Sequence, residues 1–412
     1  MACKAVILVG GPSRGTRFRP LSLNVPKPLF PVAGQPILYH HVAALSKVQN
    51  LTEILLIGFY EDSVFTSFID RINFEFPHLK ITYLREYQAL GTAGGIYHFR
   101  DKILLGAPSN FFVLNADVCC SFPLSQMMAL HQEKNAMCTI LGTKVDKAAA
   151  GRFGCIVAEP ETNEVLHYVE KPKSFVSDLI SCGIYLFQRS IFTEIKQAVE
   201  KKDEDVIDAE TDFVEESTER LQLEQDIFTR LTAQKKMFVY SSQSFFNQIK
   251  TAVSALPASS LYLQDMFQNA PEKLAHSREN GPEIVGAVYI HPSANVHPDA
   301  RIGPNVSIGP RAVIGKGVRI RDSIILDNVE VQDHSCVLWS IIGWSSRIGS
   351  WARVEGTPMD NYNATVTQNG VKIQSITILG KEVNVDDEVI IRNCIVLPHK
   401  DLAIDCHNEI LL

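Results

Sequence analysis

Ile290–Ile320 reads IHPSANVHPDARIGPNVSIGPRAVIGKGVRI, and an aliphatic residue returns at every sixth position: Ile290, Val296, Ile302, Ile308, Ile314 and Ile320. Gly or His commonly follows it, as in Ile302-Gly-Pro and Ile308-Gly-Pro. A period of six suits neither a helix, which repeats every 3.6 residues, nor a plain strand, which repeats every two. It is the mark of a parallel β-helix, in which each coil stacks its aliphatic side chains on the coil below. The spacing returns at Ile342, Ile348 and Val354, and more loosely at Ile378, Val383 and Val389. Gly356–Gln374 breaks the rhythm with polar and turn residues and is expected to be a loop projecting from the β-helix. Trp339, Trp344 and Trp351 read as packing residues of the β-helix, with lining of a subunit interface as the alternative. Exposed β-helix ends and edges need covering, so self-association or partner binding is expected.

Upstream of the β-helix the pattern changes. Lys4–Val9 is a near-continuous β-branched run, as in a strand buried on both faces. Pro36–Gln49 has helical spacing, Thr52–Ile57 is a second strand, a helix follows near Asp62–Asn73, and Lys80–Leu84 and Asn110–Leu114 are further strands. That order predicts an α/β domain with a Rossmann-like, mostly parallel sheet and helices on both faces. Such sheets bind ligands at the carboxyl ends of their strands. The expected organisation is a first domain over 1–252, a helical linker over 253–283 and a left-handed parallel β-helix of hexapeptide repeats over 284–412. Glu200–Asp226 carries 12 acidic and 3 basic residues. Its first part reads as an exposed, solvated insertion.

Composition narrows the function classes. The 412 residues are 46% apolar and 21% charged, as in a globular protein, with a net charge of −7. That balance argues against a nucleic-acid binder, which needs clustered Lys and Arg. No apolar run is long enough to span a bilayer, so no membrane association is expected. Met1-Ala-Cys-Lys-Ala-Val leads straight into a strand, without the zones of a signal peptide. The nine cysteines are odd in number and scattered, which suits a reducing compartment, so the expected location is cytoplasmic.

The chemistry gathers in the first half. Directly after the first strand comes Leu8-Val-Gly-Gly-Pro-Ser-Arg-Gly-Thr-Arg-Phe-Arg-Pro-Leu-Ser. Glycines there let backbone amides approach a phosphate, and Arg17 and Arg19 can offset its charge. Pro26-Lys27-Pro28 holds a lysine on a stiffened backbone suited to a phosphate or phosphosugar.

Together these residues resemble the signature GGxGTRLRPLT…PKP of the sugar-1-phosphate nucleotidyltransferases. More matches follow in order: Leu90-Gly91-Thr92-Ala93-Gly94, Leu114-Asn115-Ala116-Asp117, Val169-Glu170-Lys171-Pro172 and Ser181-Cys182-Gly183-Ile184-Tyr185. The resemblance implies backbone contacts to base and sugar from the Gly91 segment, Mg²⁺ binding and phosphate orientation by Asp117, and hexose-phosphate binding at Glu170 and Lys171. Carried over residue by residue, the substrate contacts are Leu8, Gly10, Gly11, Gly15, Thr16, Arg17, Lys27, Gln88, Gly91, Thr92, Asn115, Asp117, Glu170, Lys171, Ser181 and Gly183. No organic cofactor is implied. Leu56–Tyr60, Tyr97–Asp101, Trp351–Gly356 and Ile395–Lys400 are similar to the eukaryotic mannose-1-phosphate guanylyltransferases, of the alpha type and not the beta type.

The family reaction is an attack of a sugar-phosphate oxygen on the α-phosphorus of a nucleoside triphosphate. It is catalysed by positioning and charge neutralisation, with no covalent intermediate. Two departures bear on it. Three residues, Pro12, Ser13 and Arg14, stand between the glycine pair and Gly15-Thr16-Arg17, where active members have one. Misplacement by about 1 Å can cost roughly 100-fold. Gln248 stands where active members carry the Asp that is the second metal ligand, and Lys250 follows in place of Gly. A neutral amide holds Mg²⁺ weakly, and loss of one charge-stabilising group costs on the order of 3 kcal/mol or more. A third, milder departure is Ser181 for Asn.

The resemblance therefore implies a regulatory, non-catalytic subunit that binds GDP-mannose or a related nucleotide sugar and signals to a catalytic beta-type guanylyltransferase partner, holding Mg²⁺ weakly if at all. Coupling of that kind requires the ligand to favour one assembly state over another. The alternative is an active mannose-1-phosphate guanylyltransferase with Arg17, Lys27 and Asp117 in catalysis. A third reading, acyl transfer by a β-helix histidine, has only His291, His297 and His334 as candidates by residue type.

Overall fold

The computed structural model describes residues 2–11, 16–208, 221–358, 365–368, 371–374 and 376–412. They divide into two compact units: residues up to 12 with Tyr39–Phe246, and residues 13–38 with Asn247–Leu412.

The first unit is built on a nine-stranded sheet. Its strands are β1 (Cys3–Gly10), β2 (Leu51–Gly58), β3 (Lys80–Arg85), β4 (Asn110–Asn115), β5 (Cys138–Lys144), β6 (Gly154–Ala158), β7 (Val165–Glu170), β8 (Leu179–Gln188) and β9 (Met237–Ser242). The order is β7-β6-β8-β4-β1-β2-β3, with β5 beside β8 and β9 beside β5. β1 runs parallel to β2 and β4, and β2 parallel to β3, while β8 is antiparallel to β4. Val6, Ile7, Leu55, Ile57, Val113 and Leu114 are buried, as central strands covered on both faces require. Lys4 is tolerated in β1 because its ammonium pairs with Glu53 at 2.7 Å and donates to the Lys102 carbonyl at 2.9 Å. From β1 the chain builds outward through β2 and β3, then returns to the other side of β1 as β4. The switch point lies between β1 and β4, and their carboxyl ends are Gly10 and Asn115.

The end of the acidic run is less solvated than its composition suggests. The Ile191–Asp208 helix takes up its first residues. Residues 209–220 lie outside the described residues. The end is core: Leu221, Leu223 and Ile227 are buried with Phe228 and Leu231 beneath β7 and β8.

The second unit holds three parallel sheets of seven, seven and six short strands, the hexapeptide β-helix expected. Ile302, Ile308, Ile314, Ile320, Ile342, Ile348 and Val354 are all buried in one cluster. The apparent gap after Ile320 is filled by Ile325, Val331 and Val337, entered and left by five-residue steps. The late spacing shifts as well. Leu379, Val385 and Ile391 pair with Ile342, Ile348 and Val354, whereas Ile378 pairs with Ile341 on the outer face of its sheet. Arg353 pairs with Ile390, 37 residues on, where Cys336 pairs with Arg353, 17 on, so the insertion adds 20 residues between coils. Within it, Thr365–Gln368 and Val371–Gln374 pair antiparallel.

One outer face of the β-helix is apolar. Ser307, Ile324, Ile341 and Ile378 occupy strand centres there, yet all are buried. The Ala255–Asn269 helix and the segment up to Leu38 supply the cover: the Ala33 amide donates to Ser259 Oγ at 3.1 Å, Phe30 meets Trp344 edge-on, and the Gly34 backbone lies against the Tyr289 ring. The tryptophans differ in role. Trp344 packs inside this unit, while Trp351 is 64% exposed, so it is not a packing residue. All nine cysteines are free thiols.

Candidate functional site

The site residues of the first unit sit at or just beyond the carboxyl ends of β1, β3, β4 and β7, and in the first half of β8. β1 ends in Gly10, with a left-handed φ of 70° and open space where a Cβ would stand. The Phe59 amide donates to the Gly10 carbonyl at 2.8 Å and the Ala116 amide to the Leu8 carbonyl at 3.1 Å, which ties the loops after β2 and β4 to β1. Gly11 lies close under Phe59, where a Cβ would come within 2.7 Å of the Phe59 Cβ. Asn115 closes β4, and its carbonyl takes a hydrogen bond from His41 Nε2 at 3.1 Å. The Asn115 amide lies over Gly183 in β8; a Cβ on Gly183 would meet Asn115 Nδ2 at 2.6 Å, and Gly183 has φ 75°. The glycine of that motif is thus required twice, by backbone conformation and by contact. Ser181 Oγ accepts from the Gly183 amide at 3.2 Å and keeps the same turn. Asp117 follows in the turn after β4, half-buried.

Glu170 ends β7. It accepts from the Tyr168 hydroxyl at 2.8 Å and forms an ion pair with Lys171, whose φ of 45° turns it out of the strand. Gly154 makes room here, since a Cβ would collide with the Tyr168 hydroxyl.

The Gly91–His98 helix is pinned at its amino end. Gly91, at φ 79°, lies against the Leu221 carbonyl, which accepts from the Ala93 amide at 3.0 Å and the Gly94 amide at 3.3 Å. Thr92 Oγ1 lies 3.1 Å from Glu224 and accepts from the Leu223 amide at 3.0 Å. Tyr185 donates to the other Glu224 oxygen at 3.1 Å. Burial and the neighbouring Glu170 charge raise the Glu224 pKa, and burial pushes up the Tyr185 phenol. Glu224 is the residue that sequence reasoning missed. The signal was an acid set between Leu221, Leu223 and Ile227, apolar residues that a solvated charged run has no use for. Gln88 precedes the helix, exposed, with its carbonyl accepting from the Leu90 amide at 3.0 Å.

The remaining site residues belong to the second unit. Thr16 and Arg17 lie exposed in a single 3-10 turn, and Lys27 opens another, its carbonyl accepting from the Phe30 amide at 3.1 Å. Gln248 ends the Phe246–Gln248 strand. Gly15, with Pro12, Ser13 and Arg14, lies outside the described residues. The β-helix histidines serve turns: His291 bonds Ser293, His297 accepts from the Asp299 amide, and His334 stacks on Trp351.

Magnesium is held by one or two carboxylates together with substrate phosphates. Asp117 offers one, and the position expected to supply the second is the amide Gln248. Among the described residues no three His, Cys, Asp or Glu side chains converge.

A family model described as nucleotidyl transferase matches residues 4–240, and one described as the GMPPB C-terminal domain matches residues 284–411. The mannose-1-phosphate guanylyltransferase regulatory subunit alpha-B of Danio rerio is 54% identical, covering 99% of this chain and 100% of that protein. The regulatory subunit alpha of Homo sapiens is 49% identical over 99% of this chain and all of its own length. The mannose-1-phosphate guanyltransferase alpha-A of Xenopus laevis is 53% identical with the same coverage. Among solved structures, one from Bacillus anthracis named as a glucose-1-phosphate thymidylyltransferase in complex with a sucrose shares the fold, with a TM-score of 0.52 at 22% identity, over 63% of this chain and 95% of that one. Described helices include none long and apolar enough to cross a membrane. With half its residues identical to full-length relatives and both domain models matched in order, the chain belongs to the alpha, regulatory-subunit branch of the mannose-1-phosphate guanylyltransferases, within the nucleotidyl transferase family.

Proposed function

We propose that this chain is a catalytically silent regulatory subunit that binds GDP-mannose in its first unit and passes feedback to a catalytic guanylyltransferase subunit of beta type. The observation that carries the reading is the contrast within the site. The residues assigned to base, sugar and hexose phosphate are held firmly: Asn115 over Gly183, Thr92 on Glu224, Glu170 beside Lys171. The metal donor set falls one carboxylate short at Gln248. Catalysis of nucleotidyl transfer rests on charge neutralisation and alignment of a triphosphate. A nucleotide sugar carries two phosphates and asks less of that half. Within the first unit, Asn115 and Gly183 fix the sugar end, and Gln88 with the Gly91 segment faces the base. Feedback inhibition follows if the bound product favours an assembly in which the partner is slow.

The test uses the purified chain with GTP, mannose 1-phosphate and Mg²⁺, following pyrophosphate release, and calorimetry with GDP-mannose on the same preparation. Saturable GDP-mannose binding with no turnover is expected. Turnover at ordinary enzyme rates, about 1–1000 per second, means an active guanylyltransferase in its own right. Absence of binding removes the ligand half of the proposal.

A further inference from the structure

One face of the β-helix carries arginines in register. The parallel pairings set Arg301, Arg319, Cys336 and Arg353 in one column, and Arg321, Leu338, Glu355 and Arg392 in the next. Between the columns Ile302, Ile320, Val337, Val354 and Ile391 are buried in the β-helix core, so alternation turns both columns outward. Adjacent rungs are about 4.8 Å apart, and like charges directly opposite each other destabilise a sheet. Arg301, Arg319, Arg321 and Arg353 nevertheless line one groove of about 740 Å³, a volume in the range of small-molecule sites. The surrounding carboxylates answer them unequally. Glu283 lies 3.4 Å from Arg301 and Asp322 lies 2.9 Å from Arg321, while the buried Glu355 is shared by Arg353 and Arg392. Arg319 has no carboxylate partner among the described residues. Five arginines face three carboxylates here, in a chain whose net charge is −7.

Two further features give the groove a shape. Cys336 is the small member of its column, so a notch one rung wide opens between Arg319 and Arg353. At the groove's edge, Trp351 is 64% exposed and stacks on His334, ring centres 4.4 Å apart and planes 23° from parallel. Both sit at corners of successive coils, with φ of 61° and 62°. Arginine forks suit phosphate oxygens, and an exposed indole offers a face to a base.

We propose that this groove binds a nucleoside diphosphate, with its phosphates between Arg319 and Arg353 over Cys336 and its base against Trp351. The site is independent of the nucleotide-sugar site proposed above. An anion bound there offsets the repulsion within the arginine column.

The three tryptophans, Trp339, Trp344 and Trp351, all lie in the second unit, so intrinsic fluorescence reports on this groove and not on the first unit. Fluorescence of the full chain is titrated at low salt with GDP and with inorganic pyrophosphate. Both should give a saturable change, with GDP about tenfold tighter because only it stacks. Arg319→Ala should weaken both ligands by tenfold or more. Trp351→Leu should erase the advantage of GDP over pyrophosphate, read by calorimetry. Neither substitution should change calorimetric GDP-mannose binding in the first unit, and a failure of GDP-mannose to bind at all leaves these readouts standing. The proposal is overturned by an unsaturable response, by equal affinities in Arg319→Ala, or by a fall in sedimentation mass of Arg319→Ala, which would make the face an interface between copies.

Discussion

His131 shows what a single buried side chain contributes in this fold. It is 1% exposed at the end of the Leu124–Glu133 helix, with Nδ1 2.8 Å from Thr139 Oγ1 and Nε2 without a hydrogen-bond partner among the described residues. Burial lowers its pKa from 6.5 to about 4. The unfolded chain therefore binds a proton between those values that the folded chain refuses. Stability from the neutral ring is fully present above about pH 6.5 and is lost as pH falls toward 4, a loss approaching about 3 kcal/mol. Urea midpoints measured across that window should fall for the parent chain, and His131→Gln should flatten the fall. An unchanged slope in the variant would place the acid sensitivity elsewhere. At this scale the sequence offered candidate site residues and was mute about their supports. Asn115 and Gly183 were read from motifs, and the structure places them in contact. Glu224 was hidden because fifteen charged residues in a run look solvated, and only the leucines flanking it betray burial.

The elements of the β-helix follow a rule of alternation that the hexad makes visible. In Arg319–Arg321 and Cys336–Leu338 the middle residue points inward, while in Val313–Ile314 the second does. Val337 is fully buried and Val313 is 43% exposed, although each is a valine in a short strand. Val337→Ala should cost about 2 kcal/mol through lost packing and a cavity. Val313→Ala should stay within about 0.5 kcal/mol. Thermal or urea unfolding of the two variants checks the register directly, and comparable losses would contradict it. The early coils were legible because their period is regular. The coil through Ile325, Val331 and Val337 was not, since a five-residue step on entry and another on exit break a strict count of six while the stacking continues.

For the whole molecule, each unit has its own core. The sheet cluster of the first unit includes Val6, Phe111 and Tyr185, and that of the second includes Ile302, Val337 and Ile391. Units with separate cores unfold as separate cooperative steps when their stabilities differ. Calorimetric scans should resolve more than one transition. Tryptophan fluorescence should follow only the step of the second unit, which holds all three indoles. One transition seen alike by calorimetry and fluorescence would mean that the units melt as one. The division itself was the least legible feature. Residues 16–38 carry nucleotidyltransferase motifs, yet Phe30 and Gly34 pack on Trp344 and Tyr289. Contacts across some 300 positions leave no local period to read.

That cover has a cost in time. Phe30 leaves the ribosome before any of Tyr289, Ile324 or Trp344 has been synthesised. At about 5–20 residues per second the wait is roughly 15–60 s. Throughout it, Phe18, Leu21 and Phe30, all fully buried at the end, have no finished β-helix to settle on. The nascent chain must carry a greasy segment near its beginning until its last third arrives, which makes residues 16–38 the stretch on which a chaperone would have the longest hold.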